Sequence, residues 1–154
     1  MKTTQNSKVL FTAQAAMIAA IYVVLTVIGA SFAFGPVQVR LVEALTVLPF
    51  LCPAAAPGVA LGCLLTNILS PYGPIDMVVG TLATAIAAFW TMKMPRWYLA
   101  ALPPIVMNAL LLPPMWAWAV AGAVNGVFWA EYVFNLWTFV VGEVLACYVL
   151  EVLR

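Results

Sequence analysis

Long apolar runs separated by a few polar breaks set the pattern of this chain, and the breaks delimit its elements. Between Lys8 and Arg40 no residue is charged. A helix of about 20 residues crosses the roughly 30 Å of bilayer hydrocarbon, so residues 9 to about 30 predict one spanning helix. The next uncharged run, Glu43 to Asp76, is too long for one helix and is interrupted by Cys52-Pro53-Ala54-Ala55-Ala56-Pro57-Gly58. Proline lacks an N–H and clashes with the turn before it, so two short helices are predicted, over 37–52 and 57–70. The second is short for a full crossing, and a re-entrant hairpin suits the same residues. Either arrangement crosses an even number of times. A fourth helix lies between Asp76 and Lys93. A fifth starts near Arg96 and meets Pro113-Pro114. A sixth runs from Glu131 to Glu151, about 30 Å at 1.5 Å per residue. No alternating strands of barrel type are visible. The pattern predicts an all-α integral membrane protein, a single domain over residues 1–154 made of six transmembrane helices.

Composition narrows the function. The chain has 154 residues, 66% hydrophobic and 7% charged. Soluble domains carry about 25% charge, and disorder needs low hydrophobicity with high charge, so both classes are excluded. A net charge of +1 offers no field for nucleic acid. There is no histidine, which removes the usual general base and the commonest metal ligand. No metal site, no cofactor and no enzymatic activity are expected. A phosphate loop of the form GxxxxGK[ST] is missing, so this chain does not hold ATP by that device. Cys52, Cys63 and Cys147 are isolated and suit small apolar fillers.

Lysine and arginine set the orientation. Six spans put Lys2, Lys8, Lys93, Arg96 and Arg154 on one side and Arg40 on the other. Basic residues accumulate in the cytoplasm, so a multi-pass protein of the cell membrane with both termini cytoplasmic is expected. Trp90, Trp97 and Tyr98 flank the inner loop, while Tyr72, Trp116, Trp118 and Trp129 lie near predicted outer ends. That distribution reads as an interfacial aromatic belt.

The remaining polar residues are the candidates for chemistry, because a charge inside a bilayer costs at least a few kcal/mol and faces the bundle interior. Glu143, in Val140-Val141-Gly142-Glu143-Val144-Leu145, is the strongest. Its plain role is a protonated acid bonded to a neighbouring helix; its functional role is a ligand contact. Arg40 and Glu43 share a helix face and suit either a boundary salt bridge or a site. Asp76 follows Ser70-Pro71-Tyr72-Gly73-Pro74, where it also suits a helix N-terminus. Asn67 and Asn108 are costly if unpaired, and Asn108 is flanked by Pro103-Pro104 and Pro113-Pro114. Proline pairs free backbone carbonyls, and broken membrane helices often line sites. Small residues form three rows: Thr12, Ala16 and Ala20, with Ala15 and Ala19 beside them; Ala54, Gly58 and Gly62; and Gly122 with Gly126. Such spacing lets helices approach closely.

The stretches Phe34-Gly35-Pro36-Val37-Gln38-Val39-Arg40-Leu41-Val42-Glu43-Ala44-Leu45-Thr46-Val47-Leu48-Pro49-Phe50-Leu51 and Gly62-Cys63-Leu64-Leu65-Thr66-Asn67-Ile68-Leu69-Ser70-Pro71-Tyr72-Gly73-Pro74-Ile75-Asp76 resemble the QueT family. Pro103-Pro104-Ile105-Val106-Met107-Asn108-Ala109-Leu110 and Gly142-Glu143-Val144-Leu145-Ala146-Cys147-Tyr148-Val149-Leu150 look like its last two helices. Between Leu111 and Leu136 the match is loose. The resemblance implies a substrate-binding S component of an energy-coupling factor (ECF) transporter. It also implies a queuosine precursor, a 7-deazaguanine, as substrate, captured outside. The partners it implies are a transmembrane coupling subunit and two ABC-type ATPases, with Thr12, Ala15, Ala16, Ala19 and Ala20 looking like the docking face. A deazaguanine suits the polar residues: Glu43 and Glu143 as acceptors, Asn67, Asn108 and Arg40 as donors or orienters, Tyr72 as a stacking or lid residue. Asp76 is a weaker candidate for a second carboxylate. A stand-alone channel or secondary carrier for a small polar nutrient is the competing reading.

Overall fold

The computed structural model describes residues 2–29 and 41–152. They form five α-helices: α1 (Lys2–Ile28), α2 (Ala55–Asn67), α3 (Pro74–Thr91), α4 (Leu102–Ala121) and α5 (Gly126–Val152). Between α1 and α2 lies a ten-residue 3-10 helix, Leu41–Phe50. Among the described residues there is no strand. The helices pack in chain order, α1 on α2, α2 on α3, α3 on α4 and α4 on α5, and the 3-10 segment touches all five. It is therefore the central element, around which the others form an arc.

The 3-10 segment replaces the α-helix predicted over 37–52. Runs this long are uncommon, and their three residues per turn eclipse side chains at i and i+3. That geometry stacks Glu43, Thr46 and Pro49 in one buried row. Thr46 Oγ1 donates to the Glu43 carbonyl. Val42 and Leu45, one position earlier in the repeat, instead join Tyr22, Ala56, Val59, Cys63 and Ala88 in an apolar core. The segment thus carries an acid inward on one row and hydrophobic packing on the next.

Among the described residues, three stretches are long and apolar enough to cross a membrane: Asn6–Ile28, Pro74–Thr91 and Trp97–Ala121. α2 has 13 residues, about 20 Å of rise, and so is shorter than the hydrocarbon layer. Its Gly58 and Gly62 face α1. A methyl at Gly62 would come within 2.6 Å of Tyr22 Cβ, and one at Gly58 within 2.8 Å of the Ala15 carbonyl oxygen. The Ala54-Gly58-Gly62 row is therefore an internal seam, not an outer docking face.

Other boundaries differ for local reasons. α4 runs through Pro113-Pro114 instead of stopping there. Pro103 and Pro104 sit in its first turn, where N–H groups are spare anyway. Pro113 and Pro114 deprive the carbonyls of Ala109 and Leu110 of their helical donors. α4 ends at Gly122, whose φ of 67° is left-handed, a usual helix terminator. That conformation, with nothing near the notional Cβ of Gly122 or Gly126, means these two glycines form no packing row. α5 begins at Gly126, earlier than Glu131, because Asn125 Oδ1 accepts from the Phe128 N–H at 3.0 Å and caps the helix.

Candidate functional site

Three elements far apart in sequence bring Glu43, Asn108 and Glu143 together. The 3-10 row turns Glu43 inward, the α4 face between the proline pairs presents Asn108, and α5 presents Glu143 after Gly142. All three are at most 2% exposed. Asn108 Nδ2 donates to Glu143 Oε1 at 2.5 Å and lies 3.4 Å from Glu43 Oε2. The two carboxyl groups therefore flank one amide. Asn108 Oδ1 is buried and has no hydrogen-bond partner among the described residues. Between Arg96 and Arg154 the sequence has no basic residue, so α4 and α5 bring no cation to this centre. Two carboxyl groups and an amide whose carbonyl is unused make a centre rich in hydrogen-bond acceptors.

Asn67 and Asp76 belong to a second polar group at the α2–α3 turn. Asn67 Nδ2 donates to the Asp76 carbonyl at 3.0 Å and to Cys63 Sγ at 3.4 Å. Ser70 Oγ donates to Asp76 Oδ2 at 2.5 Å and accepts from the Tyr72 N–H at 3.2 Å. Asp76 is fully buried, and its Oδ1 has no partner among the described residues. It makes no capping hydrogen bond; the N-cap of α3 is Gly73, with a φ of 62°. Gly80 makes room for this group, since a methyl there would lie 2.7 Å from Asn67 Nδ2 and 3.2 Å from Asp76 Oδ1.

An aromatic cluster lies along the same helix faces. Trp116 is two turns beyond Asn108 on α4, about 12 Å by rise, and Phe139 is one turn from Glu143 on α5. Trp116 meets Phe139 edge-on at 5.6 Å between ring centroids, and Tyr72 stacks on Trp116 at 5.6 Å and 24°. Leu112, between Asn108 and Trp116, completes the cluster. Trp116 is fully buried, whereas Trp118 is 53% exposed and Trp129 56%. The belt reading therefore fails for Trp116. Trp116 and Trp118 are two residues apart, which places them on opposite sides of a helix. Trp116 reads in the sequence as one more belt aromatic, and Phe139 does not stand out, because an apolar side chain in an apolar helix gives no contrast. The spacing Asn108–Leu112–Trp116 is the signal that would have found the first.

Arg40, a candidate donor, lies outside the described residues. On α1, Ala19 is buried and Ala15 half-buried, while Thr12, Ala16 and Ala20 are exposed. Among the described residues there is no cluster of His, Cys, Asp and Glu able to hold a metal ion.

The fold defines an all-α membrane protein built around a buried polar centre. The residues that carry this centre fall inside one family pattern. The chain belongs to the QueT transporter family, whose sequence model matches residues 12–153. Membership makes it a substrate-specific transport component. The chain has no match among curated proteins or solved structures.

Proposed function

We propose that this protein is the substrate-specific S component of an ECF ABC-type importer. In this reading it binds a queuosine precursor, a 7-deazaguanine, on the extracellular side and delivers it inward with ATPase partners. The observation that carries the reading is the convergence of Glu43 and Glu143 on Asn108. A deazaguanine presents a ring N–H beside an exocyclic amine, a donor pair that one carboxylate accepts side by side. Asn108 has an amide donor for the ring carbonyl and an unused carbonyl acceptor. A precursor with an aminomethyl group is cationic, and a second carboxyl in the site complements that charge. The buried stack of Tyr72 and Trp116 supports recognition of a flat ring.

The missing phosphate loop fits a subunit whose energy comes from separate ATPases. The outward row Thr12, Ala16 and Ala20 is assigned to a transmembrane coupling subunit. Both termini lie in the cytoplasm of a cell-membrane, multi-pass protein by the basic-residue asymmetry.

Calorimetry on the purified protein tests this, using 7-deazaguanines with guanine, riboflavin and thiamine as controls. Selective deazaguanine binding is expected. Tight riboflavin or thiamine binding without deazaguanine binding would overturn the substrate assignment. Uptake that persists in cells lacking every ATPase partner would favour a secondary carrier.

A further inference from the structure

The mechanism above uses Glu43, Asn108 and Glu143 but leaves the Asp76 carboxyl without a task. Asp76 is fully buried in a membrane protein, where an acid is costly. Its side chain meets Ser70, not a ligand group of α4 or α5. The Ser70 hydroxyl uses both of its capacities: it donates to Asp76 Oδ2 and accepts from the backbone N–H of Tyr72. Tyr72 in turn stacks on Trp116. A continuous chain therefore runs from a buried carboxyl on α3, through one hydroxyl, to the backbone of the residue that covers the aromatic cluster.

This chain fastens the backbone of the turn that holds Tyr72. Pro71 and Pro74 supply no N–H, so they cannot anchor it by donating. Gly73 carries a left-handed φ with nothing within 4 Å of its notional Cβ. Its backbone ties are the Gly73 N–H to the Ser70 carbonyl at 3.1 Å and the Met77 N–H to the Gly73 carbonyl at 3.2 Å. The Ser70 hydroxyl adds a side-chain tie between the backbone of this turn and the buried acid of α3. Gly80 and Asn67 keep the acid in place: the notch at Gly80 accommodates Asp76 Oδ1, and Asn67 holds the Asp76 carbonyl.

We propose that Asp76 is a positioning residue: through the Ser70 hydroxyl its buried carboxyl fixes the Tyr72 turn and so holds the Tyr72–Trp116 stack closed over the binding centre. The consequence for the bound nutrient rests on the deazaguanine reading above. The consequence for Trp116 does not. A planar ligand reaching Asn108 along the Trp116 face must part the stack, so the Asp76–Ser70 bond sets how fast the nutrient leaves.

The test uses full-length protein in lipid nanodiscs, with variants S70A, S70T, D76A and the double variant S70A/D76A. Acrylamide quenching of Trp116 is isolated by subtracting the spectrum of W116F, without any ligand. Quenching is expected to rise in S70A and D76A and to return toward wild type in S70T, which keeps the hydroxyl. Stopped-flow release of an aminomethyl-bearing 7-deazaguanine is expected to be about tenfold faster in S70A and D76A, the effect of losing one hydrogen bond to a carboxyl. The double variant should release no faster than either single variant. Unchanged Trp116 quenching in both single variants would overturn the proposal. So would a D76A loss that adds fully to the S70A loss, because Asp76 would then touch the ligand itself. If wild-type protein binds no deazaguanine, the substrate assignment fails, and the quenching series alone decides the role of Asp76.

Discussion

Asn108 on α4 and Glu143 on α5 are joined by a 2.5 Å hydrogen bond across 35 positions of sequence. Both are buried, and Glu43 approaches the same amide from the 3-10 segment. The Asn108 amide thus ties the last two helices to the 3-10 segment and sets the two carboxyl groups about itself.

Replacing Glu143 with alanine should lower deazaguanine affinity well over tenfold, since a buried acceptor of a ligand donor pair is worth about 1.5–3 kcal/mol per charged hydrogen bond. Titration calorimetry measures it. Near-wild-type binding would remove Glu143 from the site.

Asn108→Leu should cost both stability and binding. It removes the shared donor and leaves two buried acids facing an apolar group, a penalty of about 1–3 kcal/mol or more. Thermal melting in detergent should show a lower Tm, and calorimetry should show no measurable ligand heat. An unchanged Tm would mean that this amide is not what holds the two acids.

Trp116→Ala should destabilise the fold by about 3–5 kcal/mol, the usual cost of deleting a buried large aromatic. Trp116→Phe keeps a ring and should retain folding while weakening binding of a flat ligand. Equal affinities for wild type and W116F would argue against ring recognition by this face.

Gly62→Ala should separate α1 from α2, because the added methyl would meet Tyr22 Cβ at 2.6 Å. Overpacking of this kind costs about 1–3 kcal/mol, seen as a lower Tm. The matching change at Gly126, where nothing lies within 4 Å, should have a far smaller effect.

Thr12→Leu, Ala16→Leu and Ala20→Leu together alter only exposed positions of α1. The triple variant should bind substrate as the wild type does but fail to co-purify with the coupling subunit. Retained co-purification together with retained uptake would place the docking surface elsewhere.

Much of this was legible in the apolar runs. Lipid leaves backbone groups no partner but their own helix, so long uncharged stretches between Lys8, Asp76 and Lys93 already specify helices. The same economy marks the site: a chain with eleven charged residues can bury few, and Glu43, Asp76 and Glu143 are buried. What misled was local. Pro113-Pro114 suggests a stop, yet tertiary packing carries α4 through it. Trp116 looks like an interfacial residue, yet its helix face turns it inward.

Sequence by itself determined the solvent, the helical class and the short set of polar residues that need partners, because the cost of charge and open backbone in lipid acts residue by residue. Only the tertiary structure decided which of those residues meet. Glu43 joins Asn108 and Glu143 because a 3-10 turn stacks it with Thr46 and Pro49, while Asp76 joins Ser70 because Gly73 and Gly80 let the turn fold back on α3. These outcomes depend on contacts between segments up to 65 positions apart, and no periodicity along one segment encodes them.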